Sequence, residues 1–306
     1  MEFLPAAPCS VYIEAIGSPA RMTFATGCNR GLHMMNLKIV RAGLLMGVAA
    51  AAVLPAACNG RNSQSTPPEI PPASTMAIDF SNFMDGRQNQ QVLPFANWSW
   101  AAGNVGIWNV ILTATLAVPV AAFAESFNHE PQLMDDGTWV WSYEVMVGGL
   151  AHSARLQAVI VRNQVEWEMF VSQEGSYQEF LWFTGVSNMS RTAGTWTLNK
   201  EPADPQDFVL IEWQRDEDDM PAEIKYTNIT PQSEDHGSFI NYGLVESGTF
   251  DAFYDLYGSA ENRRIDIEWN RTTKVGRVTD SQHFGDGDWR CWNEELVDTT
   301  CGAEPN

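Results

Sequence analysis

Thr138-Trp139-Val140-Trp141-Ser142-Tyr143-Glu144-Val145 is the stretch whose reading decides the fold. Trp139, Trp141, Tyr143 and Val145 alternate with Thr138, Val140, Ser142 and Glu144. That is the two-residue repeat of a β-strand with one buried and one wetted face. Further along the chain the same arrangement returns. Val165, Trp167, Met169 and Val171 stand opposite Glu166 and Glu168; Val209, Ile211 and Trp213 opposite Glu212; Ile265, Ile267 and Trp269 opposite Asp266 and Glu268. The runs are rich in β-branched and aromatic residues, which fit a pleated, half-buried surface. Turn-forming clusters such as Asp135-Asp136-Gly137, Gln173-Glu174-Gly175 and Ser233 to Gly237 separate them. Spacings of roughly 8 to 15 residues from strand to strand leave no room for crossover helices, so the connections must be hairpins. The expected fold is mainly β: an antiparallel meander of about ten to twelve strands between Thr138 and Trp292, forming a barrel or half-barrel.

Upstream lies a run of a different kind. Val105 to Ala124 contains no charged residue, and predicts an apolar helix over about 104–127, bent near Pro119 and packed against or inside the sheet. The length would also suit a membrane span. Against a span, Asn109, Thr113, Thr115 and Pro119 lower the hydrophobicity, and no Lys or Arg between Arg87 and Arg155 could fix an orientation.

The whole chain has 306 residues, 38 of them Asp or Glu and 18 Lys or Arg, for a formal charge of −20. So acidic a protein is a poor partner for nucleic acid or for an anionic membrane approached through a basic surface. A hydrophobic content of 44% is ample for a packed core and excludes disorder for most of the chain.

The N-terminal part reads as an address. Asn36-Leu37-Lys38-Ile39-Val40-Arg41 is followed by the apolar run Ala42 to Val53 and then by Leu54-Pro55-Ala56-Ala57-Cys58. The run is too short for a permanent span and suits the central region of an export signal. At Leu54 to Cys58 the sequence resembles the lipobox of bacterial lipoproteins. It departs from the usual pattern in having Pro55 where Leu normally stands three residues before the cysteine. The resemblance implies diacylglycerol on the Cys58 thiol and cleavage before it, so that the protein meets the membrane through lipidated Cys58. By the same analogy Asn59 after the cysteine implies the outer membrane. Residues 1–34 precede any export signal and are expected to be a leader added by a misplaced start, with 35–57 the signal peptide. Residues 58–75, with four prolines among small polar residues, predict a flexible tether. Residues 76–306 then form a single globular domain. Cys291 and Cys301 remain as the only cysteine pair in that domain, and export favours a disulfide between them.

Catalytic patterns are sparse, and neither a cofactor nor a metal is expected. Gly185-Val186-Ser187-Asn188-Met189 lacks the closing glycine of a nucleophile elbow, and Gly285-Asp286-Gly287 stops short of a dinucleotide fingerprint. His129, His152, His236 and His283 are scattered without ligand spacing. Calcium at Asp216 to Asp219, or at Asp286 and Asp288, is a weak alternative to solvated turns. Glu166, Glu168, Glu212 and Glu268 could serve a glycosidase only if they faced a sugar, yet each alternates away from the Trp and Ile face of its strand.

Tryptophan is the unusual feature, with twelve in the chain, all after residue 58. Burial of such rings would build a large aromatic core. They could instead line an apolar cavity for a lipid-like guest, with Trp139, Trp141, Trp167, Trp213 and Trp269 as the lining. Exposed rings at Trp98 and Trp100 would offer a sugar-stacking platform. The expectation is therefore a lipid-anchored envelope protein that binds a hydrophobic, lipid-like molecule without turning it over. A carbohydrate-binding protein or glycoside hydrolase, or an interaction protein with a filled core, are the alternatives.

Overall fold

The computed structural model describes residues 66–84, 96–215, 221–245 and 248–302. The signal segment, Cys58, the start of the tether and Asp216 to Asp219 lie outside the described residues. Fourteen antiparallel strands follow one another in a single sheet whose spatial order is the order of the sequence. They are β1 (Gln132–Leu133), β2 (Trp139–Val147), β3 (Leu150–Val161), β4 (Gln164–Gln173), β5 (Tyr177–Asn188), β6 (Ala193–Glu201) and β7 (Asp204–Arg215). The meander continues through β8 (Pro221–Asn228), β9 (Phe239–Leu244), β10 (Ala252–Gly258), β11 (Arg263–Trp269), β12 (Gly276–Thr279), β13 (Arg290–Trp292) and β14 (Asp298–Thr299). Twelve of these fall within the expected range from Thr138 to Trp292. The other two, β1 and β14, are two-residue strands at the edges, too short to show a period. Their brevity limits the edge that could pair with another chain.

Alternation along the strands sorts the two faces as the sequence implies. In β2, Trp139, Trp141, Tyr143, Val145 and Val147 are buried, while Ser142 and Glu144 are exposed. The register carries this across the sheet: Trp141 faces Leu156, Leu156 faces Met169, and Met169 faces Phe183.

The inner face is filled by the segment that precedes the sheet. Thr75, closing a 3-10 turn over Ala73–Thr75, accepts the Trp196 indole N–H at 3.3 Å, and the Met76 carbonyl accepts Tyr226 Oη at 2.8 Å. Phe80 stacks on Tyr254, and Phe83, in helix α1 (Ser81–Met84), touches Tyr254, Trp269 and Trp292. The chain thus crosses the strands in order from β6 to β13. It returns in α2 (Asn97–Thr115), which packs on β12 and β13, and α3 (Ala117–Ser126), which packs on β2, β3 and β4.

That return path requires the sheet to curl. Twelve strands laid flat at about 4.8 Å spacing would separate β2 from β13 by roughly 50 Å. A 19-residue helix covers only about 28 Å and a 10-residue one about 15 Å, and the two are bent by 69°. Both ends of the meander come within their reach only if it is curved, and β1 and β14 do not pair, so the result is an open half-barrel.

The apolar helix differs from expectation in two respects. It begins at Asn97, and it is two helices broken at Leu116. Pro119 lacks an N–H and its ring would clash with the carbonyl four residues back, at Thr115, so α2 stops there and the proline sits in the first turn of α3. The expected tether also ends earlier than Thr75, since Pro68 and Pro71 are buried and Glu69 pairs with Arg191 at 2.6 Å.

Cys291 and Cys301 form a disulfide with Cα atoms 5.2 Å apart. The loop it closes supplies the start of α2. Asp298 Oδ1 accepts the Asn97 N–H at 2.8 Å, and the Cys291 carbonyl accepts Asn97 Nδ2 at 3.0 Å.

Candidate functional site

The five tryptophans proposed as a cavity lining do share the inner face, but they pack against the protein's own side chains. Trp139, Trp141, Trp167, Trp213 and Trp269 are all buried. Trp141 lies 5.9 Å from Trp167, Trp213 stacks on Trp196 at 6.3 Å, and Trp269 lies between Tyr254 at 4.7 Å and Phe83 at 4.8 Å. On the β5–β6 side, Phe123 of α3 meets Phe183 and Trp196. Three strand glycines make room for rings on this face, Gly194 among them, where a β-carbon would lie 2.5 Å from the Trp213 ring. A β-carbon on Gly185 would lie 2.1 Å from the Trp196 ring, and one on Gly276 would lie 2.2 Å from Trp292.

The carboxylates occupy the other side of the sheet. Glu166, Glu168 and Glu212 are exposed, and Glu268 is bonded by Arg277 at 2.7 Å. The five inner-face indoles and these four carboxylates therefore stand on opposite faces of the sheet and cannot serve one sugar together. Trp98 is buried against Phe83, so the Asn97 to Trp100 stretch forms the first turn of α2 rather than a platform. Trp100 is sandwiched between His283, stacked at 3.5 Å, and the Arg263 guanidinium at 5.0 Å.

Asp280 holds that corner together. Its side chain is wholly buried and accepts from Arg263, from the Trp100 indole at 3.2 Å and from the backbone N–H groups of Gln282 and His283, which begin α4 (Ser281–Phe284). Burial alone would raise the Asp280 carboxyl, but the Arg263 bond and the backbone donors outweigh it and hold the group below the usual carboxylate range.

The other histidines have structural partners. His129 stacks on Tyr143 at 4.8 Å, with Nε2 3.1 Å from Glu125 Oε1. His152 Nδ1 donates to the Leu150 carbonyl at 3.0 Å, and His236 Nδ1 to the Thr230 carbonyl at 3.0 Å. Asp286 pairs with Arg290 at 2.8 Å and accepts the Asp288 N–H. Ser187, from the near-miss elbow, accepts the Trp167 indole at 2.9 Å. No cluster of three His, Cys, Asp or Glu side chains is arranged to hold a metal among the described residues.

What the sequence did not disclose is the outer face of α2. Trp98, Ala101, Ala102, Val105 and Leu112 face the core. On the opposite side, Gly103, Ile107, Val110 and Ala114 recur at alternating spacings of four and three and are exposed to solvent. Ile107 is 60% exposed and Val110 68%, with Ile111 beside them. An open groove of about 470 Å³ runs along this flank between Met84 and the backbone of Gly103 and Gly106. From Asn97 to Ala124 there is no ionisable side chain, so the strip has no charge of its own. A helix apolar on every side gives its pattern no phase, which is why the bare side could not be read in advance. Comparison with protein-family models, curated proteins and solved structures finds no match for this chain.

Proposed function

We propose that this protein is a non-catalytic, lipid-anchored protein of the cell envelope that holds a hydrophobic, lipid-like partner against the outer face of α2. The observation that carries the reading is the uncharged strip through Ile107 and Val110 with its groove beside Met84, on a chain of net charge −20. Large apolar side chains gathered on an exposed helix mark contact surfaces. The half-barrel's interior is occupied by Phe80, Phe83 and Phe123, so an apolar partner is better received outside than inside. The Cys291–Cys301 disulfide accords with an oxidising compartment, and Cys58 is the proposed site of the anchor.

Native mass spectrometry of the protein purified from its own membranes tests this. The expected result is diacylglycerol on Cys58 plus a second, non-covalent lipid that is lost from an Ile107→Asp, Val110→Asp variant. A protein that carries no separable lipid, or one equally retained by the variant, would refute the surface reading.

A further inference from the structure

The geometry points to the bilayer itself as the occupant of the α2 strip: the domain sits on the membrane with Ile107 and Val110 in the lipid and its carboxylate-bearing sheet face away from it. This rests on the anchored reading of Cys58. The described chain starts at Thr66, eight residues beyond that cysteine. Fully extended, eight residues span at most about 29 Å, less than the diameter of a small domain, so some surface of this body is always held close to the lipid.

One wall of the groove lies on the side of the fold where that chain enters. In a meander all odd-to-even hairpins lie along one rim. Glu69 is pinned to Arg191 in the β5–β6 hairpin, and Asn82, two residues before Met84, accepts Lys274 Nζ at 2.8 Å in the β11–β12 hairpin. Entry point and groove wall thus belong to the same rim.

Charge selects the occupant further. An uncharged strip on an acidic body has nothing to offer anionic headgroups, but it can enter a zwitterionic interface without stripping water from an ion. Pairing two copies through the same strip would instead bring two strongly acidic bodies together. Half-buried Trp108 lies beside the strip, and indoles favour the headgroup boundary. A few aliphatic side chains bind a bilayer only marginally, and stable attachment takes two signals. Here the acyl chains supply attachment and the strip supplies orientation.

The test uses full-length protein carrying Val110→Cys or, as a control on the opposite face, Glu166→Cys, each labelled with an environment-sensitive fluorophore. Both are reconstituted into phosphatidylcholine vesicles containing nitroxide-labelled lipid, and mass spectrometry establishes the state of Cys58 in the same samples. The expected result is a blue-shifted emission at 110, quenched several-fold more than at 166. Equal, weak quenching at both positions with Cys58 acylated would overturn the seating while leaving the anchor intact. An unmodified Cys58 would overturn the anchor and, with it, the case for the bilayer. Disulfide cross-linking of unlabelled Val110→Cys chains across a dimer would overturn the seating in favour of a second copy. Val110 and Glu166 are both exposed, so neither label requires the core to adjust, and near-ultraviolet circular dichroism confirms the fold.

Discussion

Helices α2 and α3 are cut from one run that carries no charge before Glu125, yet the sheet encloses one and leaves the other half bare. α3 buries Pro119, Ala121, Ala122, Phe123 and Ser126 over β2 to β4, and the Ala122 carbonyl accepts Tyr143 Oη at 2.6 Å. α2 turns Ile107 and Val110 to solvent. Composition does not separate them. The difference is what lies opposite: α3 rests within the curve, whereas α2 closes the distance between its two ends and meets protein on one side only.

Removing Phe123 should have the largest effect. Phe123→Ala leaves a cavity among Phe183, Trp196 and Phe127 and should cost about 3–5 kcal/mol in urea unfolding. A loss below about 1 kcal/mol would mean that α3 is not enclosed. Replacing both Cys291 and Cys301 with Ser opens a short loop worth about 2–3 kcal/mol. Because that loop carries Asp298, hydrogen exchange should quicken in the first turn of α2 and stay unchanged in α3. Asp298→Ala alone should cost about 1 kcal/mol, the usual worth of a capping carboxylate, with the same confinement to α2.

Acid should act on α2 through Asp280. Its folded pKa is depressed below the unfolded value of about 3.9. Its contribution is therefore complete above about pH 4 and is lost as pH falls through the folded pKa. Urea unfolding from about pH 2 to 6 should show a flatter acid limb in Asp280→Asn than in the wild type. Unchanged limbs would mean the Arg263–Asp280–Trp100 corner does not hold the helix. The smallest effect belongs to Val110→Ala, expected within about 0.5 kcal/mol because the side chain already faces water. A loss as large as at Phe123 would show that something covers it, and would break the comparison.

The strands were legible because their period is two and their inner positions are large. Trp139, Trp141 and Tyr143 mark one face whatever the rest of the chain does. The edges were not, since two residues cannot display a period. Nor was the start of α2: Asn97-Trp98-Ser99-Trp100 alternates like a strand until the helical turn sends Trp98 to Phe83 and Trp100 to His283. Pro68 and Pro71 have the composition of a tether, and their burial depends on partners far away in sequence. Of the candidate site, the cysteine proposed to carry the anchor and the uncharged helix could be named, but which side of α2 remains bare is set by the curl of the sheet.

The ring pairs on successive strands carry an optical consequence. Trp196 and Trp213 lie 23° apart in plane, and Tyr254 and Trp269 18° apart. Chromophores fixed this close share their electronic excitation, so their dichroic signal depends on the angle between neighbouring strands. Any flattening of the curve, by heat, mutation or contact with a partner, would register as a change in that signal without an added dye.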